Sequence, residues 1–254
     1  LEGDKIVSDL IKTNSINDEN IQFLAATGNW IRQNEPTLAH IGIKCIDSDA
    51  KDMTSLSSLI TPPEVIAVVK IPDLTFKYQM LRNDYTLILD QIRDPGNLGT
   101  IIRTAAWFGI NQIICSDNSV DQYNNKVIQA SMGAVMTVPV YYLSLEKLLQ
   151  HANHEKIPVY ATALDGNNLF ESKLSPPGLI LFGNEAHGLS ENLFKHVTEF
   201  IKIPGAVDLL TNQHDTESKS NGSIIGGVES LNVASAVASV ITECRRRGFT
   251  QNEN

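Results

Sequence analysis

Three glycine-bearing stretches hold the residue types on which chemistry could rest. The first, Asp90-Gln91-Ile92-Arg93-Asp94-Pro95-Gly96-Asn97-Leu98-Gly99, leads from an apolar run into a helical one. Pro-Gly-Asn marks a turn, Asn97 reads as the N-cap of the helix, and Gly99 predicts accessible backbone at its start. Arg103 lies four residues after Gly99 and four before Trp107, off the core stripe expected from Leu98, Ile102, Ala105 and Gly109. A planar cation beside a helix start suits a phosphate or a developing oxyanion, and a solvated arginine beside a plain cap is the simpler alternative. In the second stretch, Phe182-Gly183-Asn184-Glu185-Ala186-His187-Gly188-Leu189-Ser190, a helix capped by Ser190 or its neighbour should follow. Its glycines let backbone approach a flat ligand or reverse sharply. Glu185 can anchor a substrate or a neighbouring loop or cap a turn, whereas a lone His187 reads first as a turn residue. The third comprises Ile201-Lys202-Ile203-Pro204-Gly205 and, further on, Gly227-Val228-Glu229-Ser230-Leu231-Asn232-Val233. Ser230 reads as the N-cap of a last helix, whose small residues from Ala234 to Ser239 allow close packing on the sheet or on a second subunit. Arg245-Arg246-Arg247 suit a helix C-terminus first and RNA second.

The elements that must position these stretches alternate. Strand-like runs fall at 85–89, 112–115, 137–142, 158–161, 179–182 and 200–203, with helices expected at 98–108, 124–132, 145–152, 189–196 and 231–247. Short apolar strands alternating with helices imply a parallel sheet covered on both faces, and ligands on such sheets bind where strands end. Before them stands a smaller block with a helix at 3–12, strands at 21–25, 41–46 and 65–70, and a short helix near 49–59. Pro72 to Asp84, mixed and polar, is the linker candidate.

The chain has 254 residues, 42% hydrophobic and 19% charged, enough for a large core beside a small companion and too apolar for wholesale disorder. A net charge of −9 argues against unspecific polyanion binding and leaves room for a local basic patch. No apolar run approaches the eighteen or so residues of a membrane span, so a soluble protein is expected. Cys45, Cys115 and Cys244 are odd in number and far apart, which points to reduced thiols in a reducing compartment and to no zinc site. The chain starts at Leu1, so trimming or removal of a leader is expected, with cytoplasm or an organelle matrix as destination. Gly-x-x-Gly is not the dinucleotide fingerprint, which counts against a nicotinamide enzyme.

Taken in order, the three stretches resemble the signature motifs of the SpoU-type (TrmH-like) RNA 2′-O-methyltransferases of the SPOUT superfamily. The motifs are Asp94 to Ala105, Phe182 to Ser190, and Ile203-Pro204-Gly205 with Glu229 to Ala234. The resemblance implies an α/β fold whose C-terminal parallel-sheet SPOUT domain, 85–254, carries a deep trefoil knot. A small ribosomal-protein-L30e-like α/β domain for RNA, 1–76, would precede it, joined by a linker at 77–84. It further implies S-adenosyl-L-methionine as cofactor, held by Leu181, Gly183, Gly188, Ile203, Pro204, Leu231 and Asn232. Asn97, Arg103, Glu185, Ser230 and Asn232 would form the catalytic group, and Arg93, Arg103 and Lys126 would contact ribosomal or transfer RNA. A homodimer with its site at the subunit interface and no metal completes the expectation; a catalytically silent RNA-binding or ribosome-assembly factor is the alternative. Arg103 is expected to hold phosphate and a forming alkoxide, with the proton acceptor left open. One departure interrupts the third motif: a polar insert at 206–226, either a flap over RNA or a neutral excursion.

Overall fold

The computed structural model describes residues 1–12, 21–205 and 230–251. The insert at 206–226, and with it Gly227, Val228 and Glu229, lies outside the described residues.

Helix α1 (Asp4–Lys12) precedes strand β1 (Ile21–Ala26), helix α2 (Gly28–Ile41), strand β2 (Cys45–Asp47), helix α3 (Ala50–Leu56) and strand β3 (Val65–Val69). β1 pairs parallel with β2 and antiparallel with β3. The strand expected at 41–46 begins only at Cys45, because Ile41 ends α2 and Gly42 closes that helix at φ 65°. Sequence reading leaves α2 unassigned, and Pro36 inside it argues against a helix. Thr27 caps it nonetheless, accepting from the Trp30 N–H at 3.3 Å, and the fully buried Trp30 ring anchors it by donating Nε1–H to Asp4 at 2.6 Å.

The remaining strands are β4 (Tyr85–Leu89), β5 (Ile113–Cys115), β6 (Val140–Tyr142), β7 (Val159–Asn168), β8 (Gly178–Phe182) and β9 (Glu199–Lys202). They form one sheet in the order β6-β5-β4-β8-β7-β9, every pairing parallel. Between them run α4 (Pro95–Trp107), α5 (Asn125–Ser131), α6 (Leu145–His154) and α7 (Glu191–Phe194), and α8 (Val233–Gln251) closes the described chain. Alternation along β4 sets the two faces. Leu87 and Leu89 pack with Ile101, Ile102, Val237 and Ile241 of α4 and α8, and Ile88 packs with Leu148 and Leu149 of α6. Full burial of each such side chain contributes about 1.5–3 kcal/mol. The polar stretch expected to be a linker folds partly into this body: a short 3₁₀ turn at Tyr78–Arg82 buries Leu81 against Ile88 and its neighbours.

Candidate active site

β4 and β8 are neighbours, so the loops leaving their carboxyl ends lie side by side. The Asp90 N–H donates to Phe182 O at 2.9 Å, and the buried Asp90 carboxylate accepts the Ser190 N–H at 2.9 Å. Two expectations about caps are corrected here. Asp94, not Asn97, caps α4, accepting the Asn97 N–H at 2.8 Å, with Pro95 opening the helix. Asn232, not Ser230, caps α8, its Oδ1 accepting the Ala234 N–H at 2.9 Å. Asn97 lies inside the first turn of α4, where Asp94 immediately precedes the helix, and Asn232 rather than Ser230 immediately precedes α8. Asn97 is thereby freed for a longer-range role. Its amide donates to Glu185 Oε1 and its Oδ1 accepts from Asn232 Nδ2 at 2.9 Å, so three separate loops meet at one point.

Gly99 is also corrected. It is buried, and a Cβ there would stand 2.5 Å from Ala130 Cβ and 2.7 Å from Val127 O, so this glycine serves close packing of α4 on α5 rather than exposure. Leu98, Ile102 and Ala105 lie in the core as the stripe predicts, but Gly109 is exposed beyond the helix at φ 65°.

The Glu185 loop folds on itself. Asn184 and Gly188 exchange backbone hydrogen bonds at 2.9 and 2.8 Å, and Asn184 Oδ1 accepts from Ala186 N–H at 2.9 Å and His187 N–H at 3.3 Å. Gly188 sits at φ 68°, and a Cβ on Gly183 would come within 2.4 Å of the Gly188 carbonyl carbon. Both glycines are required by this reversal.

Beside the loop opens a cleft of about 550 Å³, within the roughly 300–1,000 Å³ of ligand sites. Gly183, Glu185, Gly188, Ile203, Ser230 and Leu231 line it. Pro204 and Asn232 stand in the adjoining chain without lining it, and the Leu181 side chain points into the core, fully buried. Sequence reading missed the wall formed by Thr162 to Asp165, because β7 was expected to end at Ala161. The signal was its position: these residues follow a strand's buried portion at the sheet's carboxyl edge. β7 pairs with β9 up to Thr162, leaves it, and rejoins at Asn167, where a Cβ on Gly166 would meet Ile201 backbone at 2.7 Å. Apolar walls from Ile203, Leu231 and Ala236, with the exposed carboxylates of Asp165 and Glu185, suit a flat aromatic ring joined to a cationic centre.

Arg103 is not in this cleft. It is exposed, no hydrogen bond joins it to a described residue, and with Trp107 it lines a larger groove of about 780 Å³ between α1, α4 and α5. Arg93 donates to Gln91 Oε1 at 3.3 Å near the cleft, whereas Lys126 is exposed at the start of α5. The arginine run makes contacts within the chain. Arg245 binds Asp84 at 2.7 Å and the carbonyls of Phe108 and Gly109 at 2.8 and 2.9 Å. Arg246 and Arg247 each bond the buried Glu243 at 2.7 Å, and Arg247 also donates to Leu169 O and Ser172 O. Hydrogen bonds from Arg246 foremost, then from Arg247, outweigh the cost of burial and hold the Glu243 carboxyl down at about 2.

Fold and cleft define an α/β protein with an open cleft at the carboxyl ends of its parallel strands. The SpoU rRNA Methylase family matches residues 84–209. A protein from Porphyromonas gingivalis assigned to the TrmH family of RNA methyltransferases superposes with a TM-score of 0.76 at 30% identity, over 97% of this chain and 89% of that one. An rRNA methyltransferase from Sinorhizobium meliloti, solved with bound AdoMet, gives 0.73 at 25% identity over 97% and 86%. The 23S rRNA (guanosine(2553)-2′-O)-methyltransferase RlmP of Bacillus subtilis is 26% identical over 96% of this chain and 87% of its own length. The chain belongs to the SpoU rRNA Methylase family and is an RNA methyltransferase. Among the described residues no helix is long and apolar enough to cross a membrane.

Proposed function

We propose that this protein methylates a ribose 2′-hydroxyl of ribosomal RNA, with S-adenosyl-L-methionine as the methyl donor. The observation that carries the reading is the junction of Asn97, Glu185 and Asn232 at the mouth of a cleft with apolar walls and a carboxylate rim. When bound, the donor supplies a methyl group on a cationic sulfur, open to in-line attack. The chain's own task is alignment and help in removing the hydroxyl proton. Gly183, Gly188, Ile203 and Leu231 are placed to hold the donor, with Leu181, Pro204 and Asn232 behind them. Asn97, Glu185, Ser230 and Asn232 orient the acceptor ribose.

Arg103 completes the site from a second copy of the chain. Two features support a homodimer with shared sites: Arg103 has no hydrogen bond to a described residue, and it lines a groove other than the cleft of its own chain. A guanidinium does not deprotonate in proteins, so Arg103 is assigned to phosphate and to the developing alkoxide. The block 1–76 serves as an L30e-like RNA-binding domain, joined through 77–84 to a SPOUT domain whose last helix passes through a trefoil knot. The packing of α8 against α4 supports that path.

The test is Arg103→Ala. It should bind the donor with wild-type affinity in calorimetry and lose labelled-methyl transfer to rRNA by on the order of 10²–10³-fold. Mixing it with an inactive Gly183→Val chain should restore part of the activity, because one mixed site then holds both wild-type residues. Unchanged turnover in Arg103→Ala refutes the role, and failure of mixing to restore activity refutes the sharing.

A further inference from the structure

We propose that Gln91 is a positioning residue that clamps both ends of the Glu185 loop and so sets where Glu185 meets Asn97. The inference rests on the function proposed above and adds a residue to it.

Gln91 lies at φ 55°. The other described non-glycine residues with positive φ, Met132 and Lys156, follow the last turns of α5 and α6, where a left-handed residue is the ordinary helix stop. Gln91 ends no helix. A side chain kept in a disfavoured backbone region at a site is over-determined by its surroundings, and here every polar atom of the residue is engaged. Its N–H donates to Ser116 Oγ at 2.8 Å, and its Oε1 accepts from Arg93 at 3.3 Å. The other two contacts make the clamp. Gln91 O accepts from Asn184 Nδ2 at 3.0 Å, at the start of the loop, and Gln91 Nε2 donates to Ser190 Oγ at 3.0 Å, at its end. Between those points Asn184 Oδ1 shapes the turn from which Glu185 reaches Asn97. Release of either end moves a carboxylate that has few other restraints, since Glu185 is exposed.

The variant Gln91→Gly keeps the left-handed path, which glycine tolerates, and removes only the side-chain half of the clamp. Ser190→Ala removes the same contact from the other side. Each should lower kcat about tenfold with KM for RNA changed less than twofold and the melting temperature held. The double variant should lose no more than either single one. Gln91→Glu, to which the Ser190 hydroxyl can donate, should recover kcat to within threefold. Amide exchange across 184–190 should accelerate at least tenfold in Gln91→Gly. Wild-type kcat in Gln91→Gly, losses that multiply in the double variant, or unchanged exchange each overturn the clamp. A wild-type protein that transfers no methyl to rRNA overturns the proposed function instead, and the exchange result stands apart from it.

Discussion

At the N-terminal ends of α4 and α8, Asn97 and Asn232 bond each other and Glu185 across three loops, at an open cleft. At the opposite ends of the same two helices, Arg245 joins the carbonyls of Phe108 and Gly109, just past α4, to Asp84, and Glu243 is bonded by Arg246 and Arg247. One pair of helices carries polar clusters at both ends, and they differ in what they leave free. The C-terminal cluster satisfies loop carbonyls at Phe108, Gly109, Leu169 and Ser172 and a buried carboxylate, so it ties the last helix to its neighbours. The N-terminal cluster keeps Glu185 and Asn232 exposed, at the edge of a space that can hold a ligand. A run of three arginines therefore says less about RNA than one arginine with no described partner.

The contrast can be broken at either end. Asn97→Ala should reduce methyl transfer on the order of 10²-fold with a melting temperature within a few degrees of wild type, read by single-turnover kinetics and calorimetry. At the other end, Glu243→Gln should leave kcat intact and lower stability. Its folded carboxyl lies at about 2 against 4.5 unperturbed. A depressed value means that the contribution is present above pH 4.5 and disappears as pH falls towards 2. Urea midpoints of wild type and variant should therefore converge between pH 5 and pH 2. A gap that persists at low pH breaks the assignment.

Smaller effects sharpen the picture between the two ends. Gly99→Ala should destabilise by about 1–3 kcal/mol in chemical denaturation, because the added methyl meets α5 backbone that cannot yield. Trp107→Ala, at a residue 84% exposed, should change monomer stability by no more than about 0.5 kcal/mol. If that face is covered by a second copy, sedimentation will show weaker self-association in the same variant.

The strands were legible from short apolar runs, and so was the placing of the glycine-bearing loops at their carboxyl ends. Boundaries slipped where a local rule met a competitor. Asn97 and Ser230 are good cap residues, yet Asp94 and Asn232 cap α4 and α8. Sequence reading leaves α2, which contains Pro36, without an assignment; its stability comes from Trp30 buried against β1 and β3 and bonded to Asp4, contacts no local pattern displays.

Residue order alone determined the alternation of strands and helices, the three glycine-bearing loops and the family they resemble, because periodicity, turn chemistry and motif spacing are local along the chain. Only the tertiary structure decided that Asn97 meets Glu185 and Asn232, that Gly99 is a packing residue, and that Arg245, Arg246 and Arg247 bond to described carboxylates while Arg103 does not. These are contacts between residues up to 161 positions apart. Which polar group finds a partner across such a separation depends on how the sheet stacks its neighbours, and no spacing in the sequence encodes that distance.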